Sequence, residues 1–198
     1  MIDAIHPKLP CIIVDDFEGG RIATEQLINQ GHKKIAFISD YLETPFHPSM
    51  RYRFHGYRRA LEDNNIPFRS EYQLQGERGR SQAREMARSL FCLPDPPTAI
   101  FAASDTHAIG VLDYAADNQK RIPQDMSVIG FDGIRDAEYL KLTTIDQHLY
   151  ESGLEGVNIL LKQLSENKFS TSPIQIPLTL VSRNTVGPPA DSISTSST

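Results

Sequence analysis

Length, composition and charge narrow the class of protein before any motif is considered. The chain has 198 residues, of which 39% are hydrophobic and 23% charged, and 20 basic against 25 acidic residues give a net charge of −5. This composition is typical of a globular protein, with one large domain or a domain plus part of another. Because the basic residues are scattered outside residues 51–59, the chain alone is predicted to bind DNA poorly.

The cysteines and the N-terminal residues indicate the cellular compartment in which the protein is expected. Cys11 and Cys92 stand beside apolar runs, in no metal-binding or disulfide spacing, so we expect free thiols in a reducing cytoplasm. The first ten residues, MIDAIHPKLP, lack the charged and apolar regions of a secretory signal. No apolar run approaches the roughly 20 residues that span a bilayer. A cytoplasmic protein without membrane contact is therefore expected.

Short apolar runs alternate with amphipathic stretches along the chain. Strands are predicted at 11–14, 34–39, 71–75, 98–103, 126–131 and 143–147, helices at 17–30, 51–64, 81–91, 105–118 and 150–167, and an extended run at 174–183. Continuous apolar strands between helices indicate an α/β fold with a doubly wound parallel sheet covered on both faces, although the strand order is not readable. The Pro, Ser and Thr-rich residues 187–198 are predicted to be disordered.

Polar residues follow several of the predicted strands, at the edge where parallel sheets bind ligands. A loop at 40–50 leads to Arg51 and Arg53, and the later strand ends are followed by Arg78, by Ser104 and Asp105, and by Asp132. Carboxylates accept hydrogen bonds from hydroxyl groups and arginine donates a planar fork, so this set suits a polyol or a nucleoside.

Each of these residues also has a purely structural interpretation. Arg51 and Arg53 enter a helix at its first turn, where the helix dipole disfavours cations, which favours a functional role over two solvated arginines. The side chain of Asp132 is also suited to accept a hydrogen bond from the backbone of its own turn, and that of Asp105 to cap the next helix. Ser104 fits either role, while His107 is expected at the surface or in a cap.

Nothing in the sequence forms a catalytic or cofactor-binding set. No serine lies in a G-x-S-x-G elbow, and none of the six histidines has a metal-ligand spacing. The glycines of FEGGR lack the spacing of a phosphate-binding loop. We therefore expect neither enzymatic activity nor a cofactor or metal.

Six stretches in chain order resemble the lactose-repressor/galactose-repressor (LacI/GalR) family of transcription regulators: VDDFEGGRIATEQLINQGHKKIAFIS, RFHGYRRAL, PTAIFAASDTHAIGVLDYA, RIPQDMSVIGFDG, LTTIDQ and LVSRNT. The resemblance covers residues 2–185 and implies a periplasmic-binding-protein-like I sensor, in which two α/β subdomains joined by three crossovers bind effector between them. Residues 1–186 would be a truncated sensor, with a Rossmann-like C-terminal subdomain (12–146 and 178–186) and a remnant of the N-terminal subdomain (1–11 and 147–177).

The family's effector-binding positions carry over residue by residue. The arginine of its R-x-x-G-[FY] motif falls on Arg53 and the aspartate of its G-[FY]-D motif on Asp132. The remaining positions fall on Ser49, His47, Arg78, the pair Ser104 and Asp105, and Asp3. Two of them depart from the pattern: Ser104 replaces an asparagine, and the position near which the family often has a ligand-stacking aromatic residue is occupied by Arg78, without that ring. The second departure favours an anionic or amphipathic ligand.

The resemblance implies a LacI-type repressor's effector-sensing domain that binds a sugar, nucleoside or polyol. Operator DNA would be bound only through a helix-turn-helix module that this chain lacks, and a homodimer is expected. A transporter's solute-binding protein shares the fold and is the main alternative. Two further interpretations are a non-functional fragment that contains half of the cleft and, more remotely, an enzyme built on a doubly wound sheet.

Overall fold

The computed structural model describes residues 9–43, 48–166 and 171–190. Strands and helices alternate as the sequence predicts, with strand and helix ends within a few residues of the expected positions. The strands are β1 (Ile12–Ile13), β2 (Ile35–Asp40), β3 (Gln73–Gly76), β4 (Ala99–Ala102), β5 (Ser127–Asp132), β6 (Thr143–Asp146), β7 (Ile174–Gln175) and β8 (Thr179–Val181). The helices are α1 (Asp16–Asn29), α2 (Ser49–Asp63), α3 (Arg80–Phe91), α4 (Asp105–Asp117), α5 (Arg135–Tyr139) and α6 (Leu149–Glu166).

The main sheet has six strands in the order β3-β2-β4-β5-β6-β8. Its first five strands are parallel, and β8 runs antiparallel to β6. The predicted α/β fold with a mostly parallel sheet is confirmed. Because β3 and β4 lie on opposite sides of β2, the chain reverses its direction across the sheet there, and a crevice opens beyond the carboxyl ends of β2 and β4.

Helices cover both faces of this sheet, which explains the continuous apolar strands. On one face α1 and α2 pack through Leu27 and Tyr57 against Phe37 and Phe101. On the other face α3 and α4 pack against Ile38, Ile100 and Val128, with a core that also includes Met86, Leu90 and Val111. Neighbouring residues of β2 thus face opposite cores, and a strand buried on both sides needs apolar residues at every position.

Two glycines let α1 and α2 touch along their backbones. A Cβ atom on Gly20 would lie 2.2 Å from the carbonyl oxygen of Arg53, and one on Gly56 would lie 2.0 Å from that of Phe17. No side chain fits in this space. The FEGGR motif is therefore a helix-packing element, and it brings Arg53 to the start of α1.

The C-terminal segment departs from the prediction of disorder at its first residue. The carbonyl oxygen of Gly187 accepts a hydrogen bond from Nε2 of buried His32 at 2.8 Å, and its amide donates to Oγ of Ser127 at 3.0 Å. Gly187 is thus held against the domain by a buried histidine, while disorder of the residues after it stays a prediction. Residues 191–198 lie outside the described residues.

The C-terminal third contains two further differences. The run predicted as extended at 174–183 is two strands in different sheets, since β7 pairs with β1 and β8 joins the main sheet. The short helix α5 was not predicted.

Helix α6 lies beside β1 and exposes large apolar side chains, namely Leu154, Val157, Leu160, Leu161 and Leu164. Across the ranges that the structure describes, no helix is both long and apolar enough to cross a membrane.

Candidate functional site

A polar pocket opens at the carboxyl edge of the sheet, in the crevice between β2 and β4. It is lined by Asp40, Ser49, Met50, Arg53, Arg78, Ser104, Thr106, Asp132 and Gln147. The structure thus brings together five of the eight residues predicted for the site, which are Ser49, Arg53, Arg78, Ser104 and Asp132. Asp3 and His47 lie outside the described residues.

Arg53 forms the buried wall of the pocket, with only 2% of its surface exposed. Its Nε donates to Oδ1 of Asp16 at 2.7 Å, and its Nη1 donates to the carbonyl oxygen of Ala103 at 2.6 Å and to Oδ1 of Asp132 at 3.3 Å. The guanidinium also lies 3.6 Å above the ring of Phe131. These contacts compensate the buried charge and fix the direction in which the guanidinium points.

Asp132 ends β5 in an unusual backbone conformation, with φ at 126°. Its Oδ1 accepts from Nε2 of Gln147 at 2.8 Å as well as from Arg53. Burial raises the pKa of this carboxyl, and the charge of Arg53 opposes the rise. A non-glycine residue at such a φ is strained, and strain of this kind concentrates at ligand-binding sites.

Asp105 is not among the residues that line the pocket, and it is not the cap of α4. It is fully buried and accepts hydrogen bonds from the amides of Gly133 and Ile134, each at 2.9 Å, and from Oγ1 of Thr144 at 2.6 Å. Burial raises its pKa to about 7, against the lowering effect of these three bonds. Asp105 therefore holds the loop that follows Asp132.

The cap of α4 is Ser104, whose Oγ accepts from the amide of His107 at 3.3 Å. Of the two positions expected for His107, the surface is wrong, since it is 1% exposed, whereas its amide does take part in the cap of α4. Its Nδ1 lies 2.6 Å from Oγ of Ser104 and its Nε2 lies 3.1 Å from Oδ1 of Asp40. The other oxygen of Asp40 is 3.7 Å from Nε of Arg78, a largely exposed side chain. A buried imidazole therefore connects two pocket residues.

Sequence reasoning missed several of these residues. Asp40 and Gln147 directly follow or end strands of the sheet, so the rule that found Asp132 identifies them as well. Asp16 was not among the predicted site residues, and it is not the cap of α1, which is Asp15, whose side chain accepts from the amide of Glu18. No local pattern indicates the pairing of Asp16 with Arg53, because 37 residues separate them.

The pocket offers both hydrogen-bond acceptors and donors. Asp40 and Asp132 supply carboxylates, Arg53 and Arg78 supply guanidiniums, and hydroxyl and amide groups fill the space between them. Such a mixture fits a ligand that is rich in hydroxyl groups. Within the described ranges, no three His, Cys, Asp or Glu side chains are grouped so that they could hold a metal ion.

Residues 24–186 match the family described as periplasmic binding protein-like domain, which is most of the chain. The chain belongs to this family. Among curated relatives, catabolite control protein A of Priestia megaterium is 31% identical over 172 residues, 86% of this chain and 51% of the relative. The transcriptional repressor PurR of Vibrio vulnificus is 36% identical over 177 residues, 88% of this chain and 52% of the relative. The chain thus spans about half the length of these relatives.

Solved structures agree with the sequence matches. A LacI family transcriptional regulator from Enterococcus faecium, with bound ribose, superimposes with a TM-score of 0.82 at 27% identity, over 90% of this chain and 66% of that one. A transcription regulator from Lactobacillus plantarum gives a TM-score of 0.83 at 28% identity, over 94% and 71% of the two chains. The resemblance to LacI-family sensor domains is confirmed. Its division into two subdomains stays a prediction.

Proposed function

We propose that this chain is the effector-sensing domain of a cytoplasmic LacI-type regulator and that its pocket binds a small sugar, nucleoside or polyol. The observation that carries the proposal is the convergence of Arg53 and Asp132 on one pocket wall, with a contact of 3.3 Å between them. Both groups are oriented by further bonds to Asp16 and Gln147. Preorganised groups bind a ligand without the entropic cost of ordering them.

The names of the relatives favour a regulator over a solute-binding protein of the same fold, since catabolite control protein A and PurR are both regulators. Operator binding is assigned to a helix-turn-helix module outside this chain, and the regulator is proposed to act as a homodimer. A net charge of −5 supports the absence of DNA binding by the chain itself. A salt-resistant, sequence-selective gel shift with the purified chain would contradict this assignment.

Calorimetry tests the pocket. The wild-type chain is titrated with pentoses, hexoses, polyols and purine nucleosides, and at least one of these classes is expected to bind. Asp132→Ala should then weaken binding by about 1.5–3 kcal/mol, roughly 10-fold to 150-fold, because a charge-assisted bond is lost. Asp63→Ala is the matched control, since Asp63 pairs with Arg59 on the exposed side of α2. Unchanged affinity in Asp132→Ala, or no binding by any class, would refute the proposal.

A further inference from the structure

Three polar side chains form a continuous line beside the pocket. Asp40 ends β2, Ser104 caps α4, and His107 lies in the first turn of α4 between them. Asp40 and Ser104 line the pocket, whereas His107 lies behind it and is 1% exposed. The imidazole is therefore placed to act on a ligand only through its two neighbours.

The contact with Asp40 decides which ring nitrogen of His107 carries a proton. Nε2 lies 3.1 Å from Oδ1 of Asp40, and the described residues offer neither atom a well-aligned hydrogen bond. An unprotonated Nε2 would leave two electron-rich atoms, the ring nitrogen and a carboxylate oxygen, 3.1 Å apart. That repulsion is poorly screened in a buried position. The proton of a neutral ring must therefore reside on Nε2.

The position of this proton sets the role of Ser104. With Nε2 protonated, Nδ1 is an acceptor, and its distance of 2.6 Å from Oγ of Ser104 is that of a strong hydrogen bond. The single hydroxyl hydrogen of Ser104 is then donated to Nδ1. The oxygen also accepts from the amide of His107 at 3.3 Å. What Ser104 offers to the pocket is a remaining acceptor site.

We propose that Asp40 and His107 are positioning residues that hold the Ser104 hydroxyl as a hydrogen-bond acceptor, so that the effector must place a hydroxyl or N–H donor against it. The inference rests on the proposed function, because it concerns the effector of the same pocket. A carboxylate or a fully ionised phosphate at this position meets only an acceptor and is rejected. The pocket thus selects for a neutral, donating group at Ser104.

Nuclear magnetic resonance of the ¹⁵N-histidine-labelled chain tests the proton position without any ligand. In its neutral form, the His107 ring is expected to carry its proton on Nε2 alone, so the spectrum is recorded at basic pH. The His107 signals are assigned by their loss in His107→Phe, or by selective broadening if that variant does not fold. A proton on Nδ1, or on both nitrogens, would overturn the proposal whether or not the pocket binds a sugar.

Calorimetry with D-ribose and its singly fluorinated analogues tests the selectivity. Fluorine cannot donate, so one analogue should bind the wild type about tenfold more weakly than ribose. The difference should shrink to about twofold in His107→Phe, whose Ser104 hydroxyl is free to rotate, and in Ser104→Ala. Exposed His55 provides the control His55→Phe, which should keep the full difference.

A purely structural role for His107 gives a different result. In that case His107→Phe weakens every analogue by the same factor and the selectivity is unchanged, which would overturn the proposal. If D-ribose itself does not bind, the proposed function fails for this sugar, and the ring-proton measurement alone decides the inference.

Discussion

Arg53 and Asp16 form a buried ion pair that joins the second helix to the start of the first. The two atoms in contact, Nε and Oδ1, are 2.7 Å apart, and the side chains are 3% and 9% exposed. Asp16→Ala leaves the guanidinium undercompensated and should lower the free energy of unfolding by about 3–5 kcal/mol. Urea denaturation measures this loss.

The neighbouring residue supplies the control for this measurement. Asp15 caps α1 and is not a partner of Arg53, so Asp15→Ala should cost only about 1 kcal/mol. Equal losses in the two variants would show that Asp16 contributes no more than an ordinary helix cap.

The backbone conformation at Asp132 predicts that a glycine substitution is more stable than an alanine substitution, the reverse of the usual order. Both Asp132→Ala and Asp132→Gly remove the carboxylate and should weaken effector binding by the same roughly 10-fold to 150-fold. At a φ of 126° alanine keeps a strain of about 1–3 kcal/mol, while glycine relieves it at an entropic cost of about 0.5–1 kcal/mol. We expect Asp132→Gly to be the more stable by about 1 kcal/mol in thermal denaturation. A more stable alanine variant would contradict the strain at this position.

Asp105 gives the chain a pH-dependent stability of defined sign. Its pKa is raised to about 7 in the folded protein, from about 3.9 in an unfolded chain, so the folded state binds more protons between these values. The contribution of this group is therefore present below about pH 4 and is lost as the pH rises to about 7. Asp105→Asn should flatten the slope of stability in this window.

The comparison with Asp105→Asn isolates this group from two others. Burial also raises the pKa of Asp132, which gives a slope of the same sign, and it lowers the pKa of His32, which gives the opposite sign. Both groups are retained in the variant. Stability measured from about pH 4 to about pH 8 should therefore differ between the two proteins by the Asp105 contribution together with its coupling to Asp132, and parallel pH profiles would refute that contribution.

The apolar side of α6 predicts self-association. Leu160, Leu161 and Leu164 are each at least half exposed, and burying each such side chain is worth about 1.5–3 kcal/mol. We expect light scattering over a dilution series to show dimers or larger species. Changing Leu161 and Leu164 to Glu should shift the chain toward monomer, whereas Leu140→Glu, outside this helix, should not. A monomeric wild type at every concentration would contradict the prediction.

The fold class could be predicted from the sequence because the hydrophobic patterns that specify its strands and helices are local. The apolar runs around Phe37 and Phe101 and the helical spacing around Tyr57 each lie within one element. The edge of the sheet that holds the pocket followed from the parallel strands, and Arg53 and Asp132 followed from motif spacing. Pairings across the fold were not readable, and the buried positions of Asp16 and His107 depend on such pairings.

The order of the last strands shows that the segment between β6 and β8 leaves the main sheet and then returns to it. Strands β6 and β8 are adjacent and antiparallel, with Asp146 opposite Thr179, yet β7 and α6 lie between them in the sequence. In antiparallel neighbours a turn of about two residues joins such facing ends. Protein engineering could therefore replace residues 147–178 by a hairpin and leave every hydrogen-bonded strand of the main sheet in place. The shortened protein would lack Gln147 and the apolar helix α6. It would therefore distinguish the residues that the main sheet requires for folding from those that the pocket requires for binding.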